Sequence, residues 1–494
     1  MSLVVLPFVA LVAGLIATLL AWRAPAWATW IGLAGAAASV ALALRVGPED
    51  AVLLGGITLT GSDLIGRLAV AWSMGTLLLG GIGLATGETV AFLGPALLAL
   101  GVAVVGLAGG EAAAAFALLT GGAVAGILLP SLTTESGRKV EAGRFGVAVQ
   151  GTSAFIGAGL LALGIVAWGA SPAGPLGGSG LLEPDDPAAQ VALGVALVGV
   201  VIAVVLRTGA IPVHVWAARF MEGVSPLAVP AALAWGSAAF TLTAIAWTQA
   251  ALGAGSQETG VIEHDVIALI AVASVVLGGI AALLHDDVEH VLGYSILQDV
   301  GLAVFAFASL RPEVGAAARD WLLASAAVKT ALAGWVAAIR WWYGVHRVAD
   351  LGGWVRRAPA LGIAFGAIIL GSVGLPGMAV FDARITLVGE AVPGLPGFLV
   401  LVVALSPVVS LGRVLGAGFG LPSAAIAGAP SGRPRWPYDR TAAWTRSSLL
   451  AMVRVLPEAI RVNVRTGVGL AALGLAAIGL VLAIVGAGGG EAAA

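Results

Sequence analysis

The chain has 494 residues, 60% of them hydrophobic and 10% charged, with a formal net charge of −2. A soluble domain carries roughly 25% charged residues, so this chain has too few charges to cover a water-facing surface, and its near-neutral balance provides no overall attraction to nucleic acid. The absence of cysteine excludes disulfides, thiolate metal sites and iron–sulfur ligation.

A membrane-crossing helix needs about 20 apolar residues. Segments of that kind lie near 2–21, 27–44, 66–85, 88–108, 113–130, 146–169, 191–210, 227–252, 262–284, 290–309, 320–341, 359–380, 395–417 and 466–487. The pattern predicts an all-α polytopic membrane protein of about fourteen spans. The runs are continuous rather than alternating, which excludes a β-barrel. Residues 1–20 have no basic region ahead of the apolar run and end on Trp22 and Arg23, so they read as a first span with an interfacial anchor rather than as a cleaved signal.

Basic loops set the orientation. Arg138, Lys139 and Arg144 follow span five; Arg340, Arg347, Arg356 and Arg357 follow span eleven; and a run from Arg433 to Arg465 follows span thirteen. All three follow odd-numbered spans, which places them in the cytoplasm and both termini outside. The Gly/Pro/Ser-rich stretch 172–188 reads as an outer loop. In 440–465, Leu449, Val453, Leu456 and Ile460 share one helical face while the arginines fall largely elsewhere, the pattern of an interfacial amphipathic helix kinked at Pro457.

Ionisable groups inside spans are costly and therefore candidates for function. Arg207 closes span seven, Lys329 sits in the middle of span eleven, and Asp382 with Arg384 follows span twelve. Arg207 precedes Pro212 and Arg384 follows Pro376, so each cation neighbours a helix-breaking proline, a mark of ion pathways in transporters. The alternative for both arginines is that they snorkel to an interface.

Four stretches carry a family resemblance. Arg207-Thr208-Gly209-Ala210-Ile211-Pro212-Val213-His214-Val215-Trp216, followed by Glu222-Gly223 and Pro226, is similar to a Lys-x-x-x-x-Pro-x-His-x-Trp, Glu-Gly, Pro signature. Asp287, Leu292-Gly293-Tyr294-Ser295, Gln298 and Gly301 resemble a second block of the same family. Lys329-Thr330-Ala331-Leu332 resembles a third, and Asp350-Leu351-Gly352-Gly353 through Pro359 to Gly374-Leu375-Pro376 a fourth, with Arg413 where the family ends a span. In order and in register from 207 to 413, they resemble the antiporter-like membrane subunits of respiratory complex I, a family shared with Mrp antiporters, membrane-bound hydrogenases and the membrane half of a bicarbonate uptake system.

The resemblance implies fourteen helices with two inverted five-helix repeats and broken helices. It divides the chain into N-terminal helices (1–87), a first repeat (88–252), a second repeat (262–417) and an amphipathic helix with a final span (433–494). It implies a proton-translocating subunit of an NADH-quinone oxidoreductase-like or hydrogenase-type pump in a bacterial or archaeal inner membrane. Such a subunit works beside other membrane subunits and lipid and holds no cofactor or metal of its own. The residues it implies are Lys329, Arg207, Arg384, His214, Glu222, Asp382 and His285, with His290 and Glu390 as further titratable groups.

The departures matter chemically. The family's span-five Glu falls near Thr120 and its span-eight Lys near Ser237 or Ala238, and neither is present; two further lysines are Arg207 and Arg384. Lysine can be brought to a useful pKa by burial, whereas arginine keeps its proton in a protein. A scaffold subunit with a degenerate channel, or a cation or bicarbonate uptake half, therefore stands as the alternative.

Overall fold

A computed structural model describes residues 2–21, 23–54, 57–87, 90–109, 187–252, 261–423, 426 and 458–487. The fold is built around one helix, α10, Pro312–Tyr343. Pro312 at its first position has a preset φ and no N–H to leave unpaired, and Glu313 in the first turn suits the helix dipole. Gly344, at φ 67, ends it in the left-handed conformation, its N–H bonded to the Arg340 carbonyl. At 1.5 Å per residue the helix is about 48 Å long, well over a bilayer core. Its apolar stretch is 94% buried within the protein, against 33% for the first helix.

The other elements gather round it. Helices α1 (Ser2–Leu20), α2 (Pro25–Ala43), α3 (Asp63–Thr86) and α4 (Leu93–Ala108) form an N-terminal group. Helices α5 (Pro187–Thr208) and α6 (Val215–Gly223) precede a π-helical turn, Pro230–Trp235, that leads into α7 (Gly236–Leu252). Helices α8 (Val261–Leu284) and α9 (Val288–Val304) pair closely. After α10 come α11 (Pro359–Val373), α12 (Ala379–Ala391), α13 (Leu395–Ala404), α14 (Pro407–Phe419) and α15 (Glu458–Val485). Helix α10 packs against α3, α7, α9, α11, α12, α15 and the π turn.

Among the described residues eight helices are long and apolar enough to cross a membrane, and four shorter apolar ones accompany them. The predicted spans 113–130 and 146–169, and the amphipathic stretch up to Pro457, lie outside the described residues.

Four features differ from the sequence-based expectation. A two-stranded antiparallel hairpin, β1 (Ala51–Leu54) and β2 (Ile57–Thr60), pairs Leu54 with Ile57 in the loop before α3; Val, Leu, Ile and Thr flanking a Gly-Gly pair suit a hairpin. The run 395–417 is interrupted at Leu405-Ser406, where Pro407 removes an N–H from the ladder. Span eight opens on the π turn instead of a plain α-helix. The last helix is continuous from Glu458 to Val485, whereas the expected span began at 466.

Chain breaks occur beside both prolines that the sequence marks. Between α5 and α6, Gly209 adopts φ 73, where a Cβ would also come within 2.7 Å of the Ala217 Cβ. Trp216 closes the break by donating its indole N–H to the Leu206 carbonyl at 3.1 Å, so the tryptophan of the Pro-x-His-x-Trp run satisfies a carbonyl that the broken helix frees. Between α11 and α12 the chain turns through Gly374 and Gly377, both at positive φ.

Helix α9 reaches the centre because glycine lets it touch α8 backbone to backbone. A Cβ on Gly301 would stand 2.8 Å from Ser274 Cβ and 2.8 Å from Val275 N; one on Gly278 would stand 2.6 Å from Gln298 N. We expect Gly301→Leu to force the two helices apart at a cost of about 1–3 kcal/mol. In detergent this reads as a lowered unfolding temperature and reduced yield, while Gly366→Leu, at a position with open space around it, leaves both unchanged.

Candidate functional site

Near the midpoint of α10, Lys329 is 2% exposed. Its Nζ lies 3.1 Å from Oδ2 of Asp299 on α9, itself buried at 7% exposure. The approach is an ion pair without an aligned hydrogen bond from the ammonium. At an effective dielectric of about 20, two unit charges at this separation attract by roughly 5 kcal/mol. Removing each ion from water costs several kcal/mol. The attraction therefore offsets part of the cost of burying the two charges.

Arg384, 2% exposed on α12, reaches back across the break to the end of α11. Its Nη2 donates to the Ser372 carbonyl at 2.7 Å and its Nη1 to the Val373 carbonyl, a cation on the negative end of a helix dipole. The guanidinium stacks over Trp321 with Cζ 4.9 Å from the ring centroid. It lies within electrostatic reach of Asp299.

Arg207 occupies the last turn of α5 at 5% exposure. It sits over the Phe240 ring at 5.7 Å, and a Cβ added at Gly236 would stand 3.5 Å from its Nη2. Its Nε and Nη1 are buried without a hydrogen-bond partner among the described residues. The neighbouring residues Thr208 and Ser237 line a small cavity whose far wall is Asp299, Ser325 and Lys329. The space open to the centre of a water-sized sphere there is about 20 Å³, room for one water and little more. Thr241 adds a further hydroxyl to its wall.

The other residues singled out by sequence are spread out. His214 sits at the N-cap position of α6 without a capping hydrogen bond, half-buried, its Nδ1 without a partner among the described residues. The side chain of Glu222 lies outside the described residues. Asp382 is exposed in the first turn of α12, where an acid suits the helix dipole, and two residues along the helix puts it on the side away from Arg384. Glu390 pairs with Arg311 at 2.7 Å on the surface. His285 lies beyond the end of α8, stacked on His290 at 5.1 Å and against Tyr294 at 4.7 Å, with its carbonyl accepting from Arg413. Beside it, burial raises the Asp287 carboxyl, but hydrogen bonds from His290 and the Glu289 N–H outweigh that and hold it below the ordinary carboxylate range.

Lys329 and Arg384 are thus both brought within reach of Asp299, while Arg207 is the chain neighbour of Thr208, which lines the cavity. Asp299, the acid that completes the centre, is absent from the residues singled out by sequence, although a carboxylate inside the apolar run 290–309 meets the same criterion that picked out Lys329. Trp321 was likewise unmarked, as was Ser406, whose Oγ lies 2.9 Å from Gln298 Nε2 at the α13–α14 break.

Known proteins resemble this chain in sequence and in fold. The family model described as NADH:quinone oxidoreductase/Mrp antiporter, TM, matches residues 117–410. NADH-quinone oxidoreductase subunit N of Cereibacter sphaeroides is 30% identical over 497 residues, covering 93% of this chain and 98% of that protein. Subunit N 1 of Streptomyces griseus is 30% identical over 227 residues, 46% of each chain. The fold resembles a chain of respiratory complex I from Thermus thermophilus (TM-score 0.64, 19% identity, 98% of each chain covered). It also resembles a chain of the Mrp complex from Dietzia sp. (TM-score 0.67, 18% identity, 97% of this chain and 94% of that one).

A double-mutant cycle tests the central pair. Lys329→Met alone leaves a buried carboxylate uncompensated, and we expect it to destabilise by about 3–5 kcal/mol. Adding Asp299→Leu should recover most of that loss, read as the unfolding temperature of the purified protein. Additive losses would show that the two side chains do not interact.

Proposed function

The chain belongs to the membrane-subunit family common to NADH:quinone oxidoreductases and Mrp antiporters, and on that premise we propose that it is a proton-translocating, antiporter-like subunit of a redox-driven complex. The observation that carries this reading is the Lys329–Asp299 pair, two titratable groups buried 3.1 Å apart near the midpoint of the central helix. In this reading the complex sits in the inner membrane of a bacterium or archaeon. Other membrane subunits and lipid surround the chain, and partners carry the electron chemistry. The architecture is fourteen helices in two inverted five-helix repeats, 88–252 and 262–417, between the segments 1–87 and 433–494.

The chemistry follows from which groups titrate. Lys329 gives its proton to Asp299 when the local field shifts, and takes another from the cavity lined by Thr208, Ser237, Thr241 and Ser325. Arg207 and Arg384 keep their protons and act as fixed positive charges. A nearby cation disfavours a second one, so a small movement of either arginine changes how firmly Lys329 holds its proton. His214, beside the first break, and His285, at the end of α8, stand where protons approach and leave this centre. Asp382 is a surface acid on α12.

One observation favours a second reading, a scaffold with a degenerate channel: the Arg384 guanidinium is committed to the Ser372 and Val373 carbonyls, as a purely structural C-cap would be. The two readings separate in proteoliposomes holding the complete complex, with proton uptake and quinone reduction followed together. We expect Asp299→Asn to lower protons moved per electron by at least about tenfold in an assembled complex. Arg207→Lys, which supplies the same charge, should keep pumping. Parental pumping in an assembled Asp299→Asn complex would leave the scaffold reading standing.

A further inference from the structure

Asp299 has two cations to choose from, and it pairs with the chemically less obvious one. A guanidinium offers a carboxylate a planar, two-pronged set of donors and is the preferred partner in buried pairs. Yet Asp299 meets the ammonium of Lys329 at 3.1 Å. Among the described residues Arg384 makes no ion pair with it, while remaining within electrostatic reach.

The residue between them is Trp321. It lies on α10 eight residues before Lys329, a little over two turns and about 80° round the helix from it. Its side chain is buried and makes two polar contacts. The indole N–H donates to the Asp299 carbonyl at 2.9 Å, which ties α9 to α10 at the level of the acid. The ring face carries the Arg384 guanidinium at 4.9 Å, a cation–π contact that gains strength where water is excluded. With its two Nη groups on the α11 carbonyls and its plane over the indole, Arg384 is held away from the carboxylate.

We propose that Trp321 is a positioning residue that assigns Asp299 to Lys329 instead of Arg384. The consequence is chemical. A Lys329–Asp299 pair has two members that exchange protons; an Arg384–Asp299 pair would hold the carboxylate ionised against a group that keeps its proton, and would leave Lys329 alone. Loss of the indole then lets the guanidinium turn to the acid. This rests on the reading of Lys329 and Asp299 as the proton-transfer pair.

The test uses the complete complex. Trp321→Leu should lower protons moved per electron at least tenfold, and a cryo-electron microscopy map of that variant should show Asp299 within ion-pair distance of Arg384. Trp321→Phe keeps an aromatic face and should retain the Lys329 pairing and most of the flux. The decisive arm is Trp321→Leu combined with Arg384→Gln. The amide still donates to the α11 carbonyls but carries no charge, and we expect flux to return to within about threefold of the parent. If Trp321→Leu does not assemble, Trp321→Met, closer in length and flexible enough to fill the space, takes its place in both comparisons. Unchanged pairing with Lys329 in the map, or no recovery of flux in an assembled double variant, overturns the proposal. A parent complex that moves no protons overturns the functional reading instead, and the map still decides the pairing.

Discussion

A charge in a packed, water-poor helix bundle must either find its opposite or be neutralised. That constraint organises this protein. Lys329 and Asp299 are placed on α10 and α9, the helix most enclosed by its neighbours and one packed directly beside it. Their attraction offsets part of the cost of burying both charges, and removing either partner leaves the other uncompensated. Much of the surrounding structure serves this arrangement. Glycines 278 and 301 bring α9 against α8, α10 opens on Pro312 and closes on the left-handed Gly344, and Trp321 ties the backbone of the acid to the helix of the base.

The two breaks show one principle met in two ways. Interrupting a helix frees carbonyls that must be paired. At the end of α5 a neutral donor does this, the Trp216 indole on Leu206, and the nearby cation, Arg207, keeps two nitrogens unengaged. At the end of α11 the cation itself does it, Arg384 on Ser372 and Val373. The arginines are therefore not equivalent. Arg384 is anchored by carbonyls and an aromatic face, and its field is fixed in place. Arg207 has two nitrogens with no hydrogen-bond partner among the described residues and lies beside Gly236 at the start of α7, next to Thr208 of the cavity wall.

The membrane class, most helices and both proline-linked breaks were legible in the sequence because they follow from long apolar runs and from proline, which act locally. Lys329 was legible because an ammonium inside such a run is conspicuous. Asp299 met the same criterion and was passed over, since the motif reading drew attention to Gln298 and Gly301 on either side of it. Its pairing with Lys329 depends on the α9–α10 register, which no local pattern encodes. Asp382 was grouped with Arg384 by proximity in the chain, but two residues on a helix point to different sides, and the structure leaves it exposed. The hairpin at 51–60 was hidden by its shortness. The interruption at Leu405-Ser406 was masked by an apolar run that continues across it, and Gln298 and Ser406 bridge it from residues far apart in the chain.

The central claim is that Asp299 takes and releases a proton during turnover. Infrared difference spectroscopy on the complete complex in membranes reads this directly, through the carbonyl stretch of a protonated carboxylic acid as electrons are supplied and exhausted. The account predicts a band that comes and goes with turnover, shifts in deuterium oxide, and is lost in Asp299→Asn. An identical band in the variant, or pumping by the parent with no such band, would contradict it.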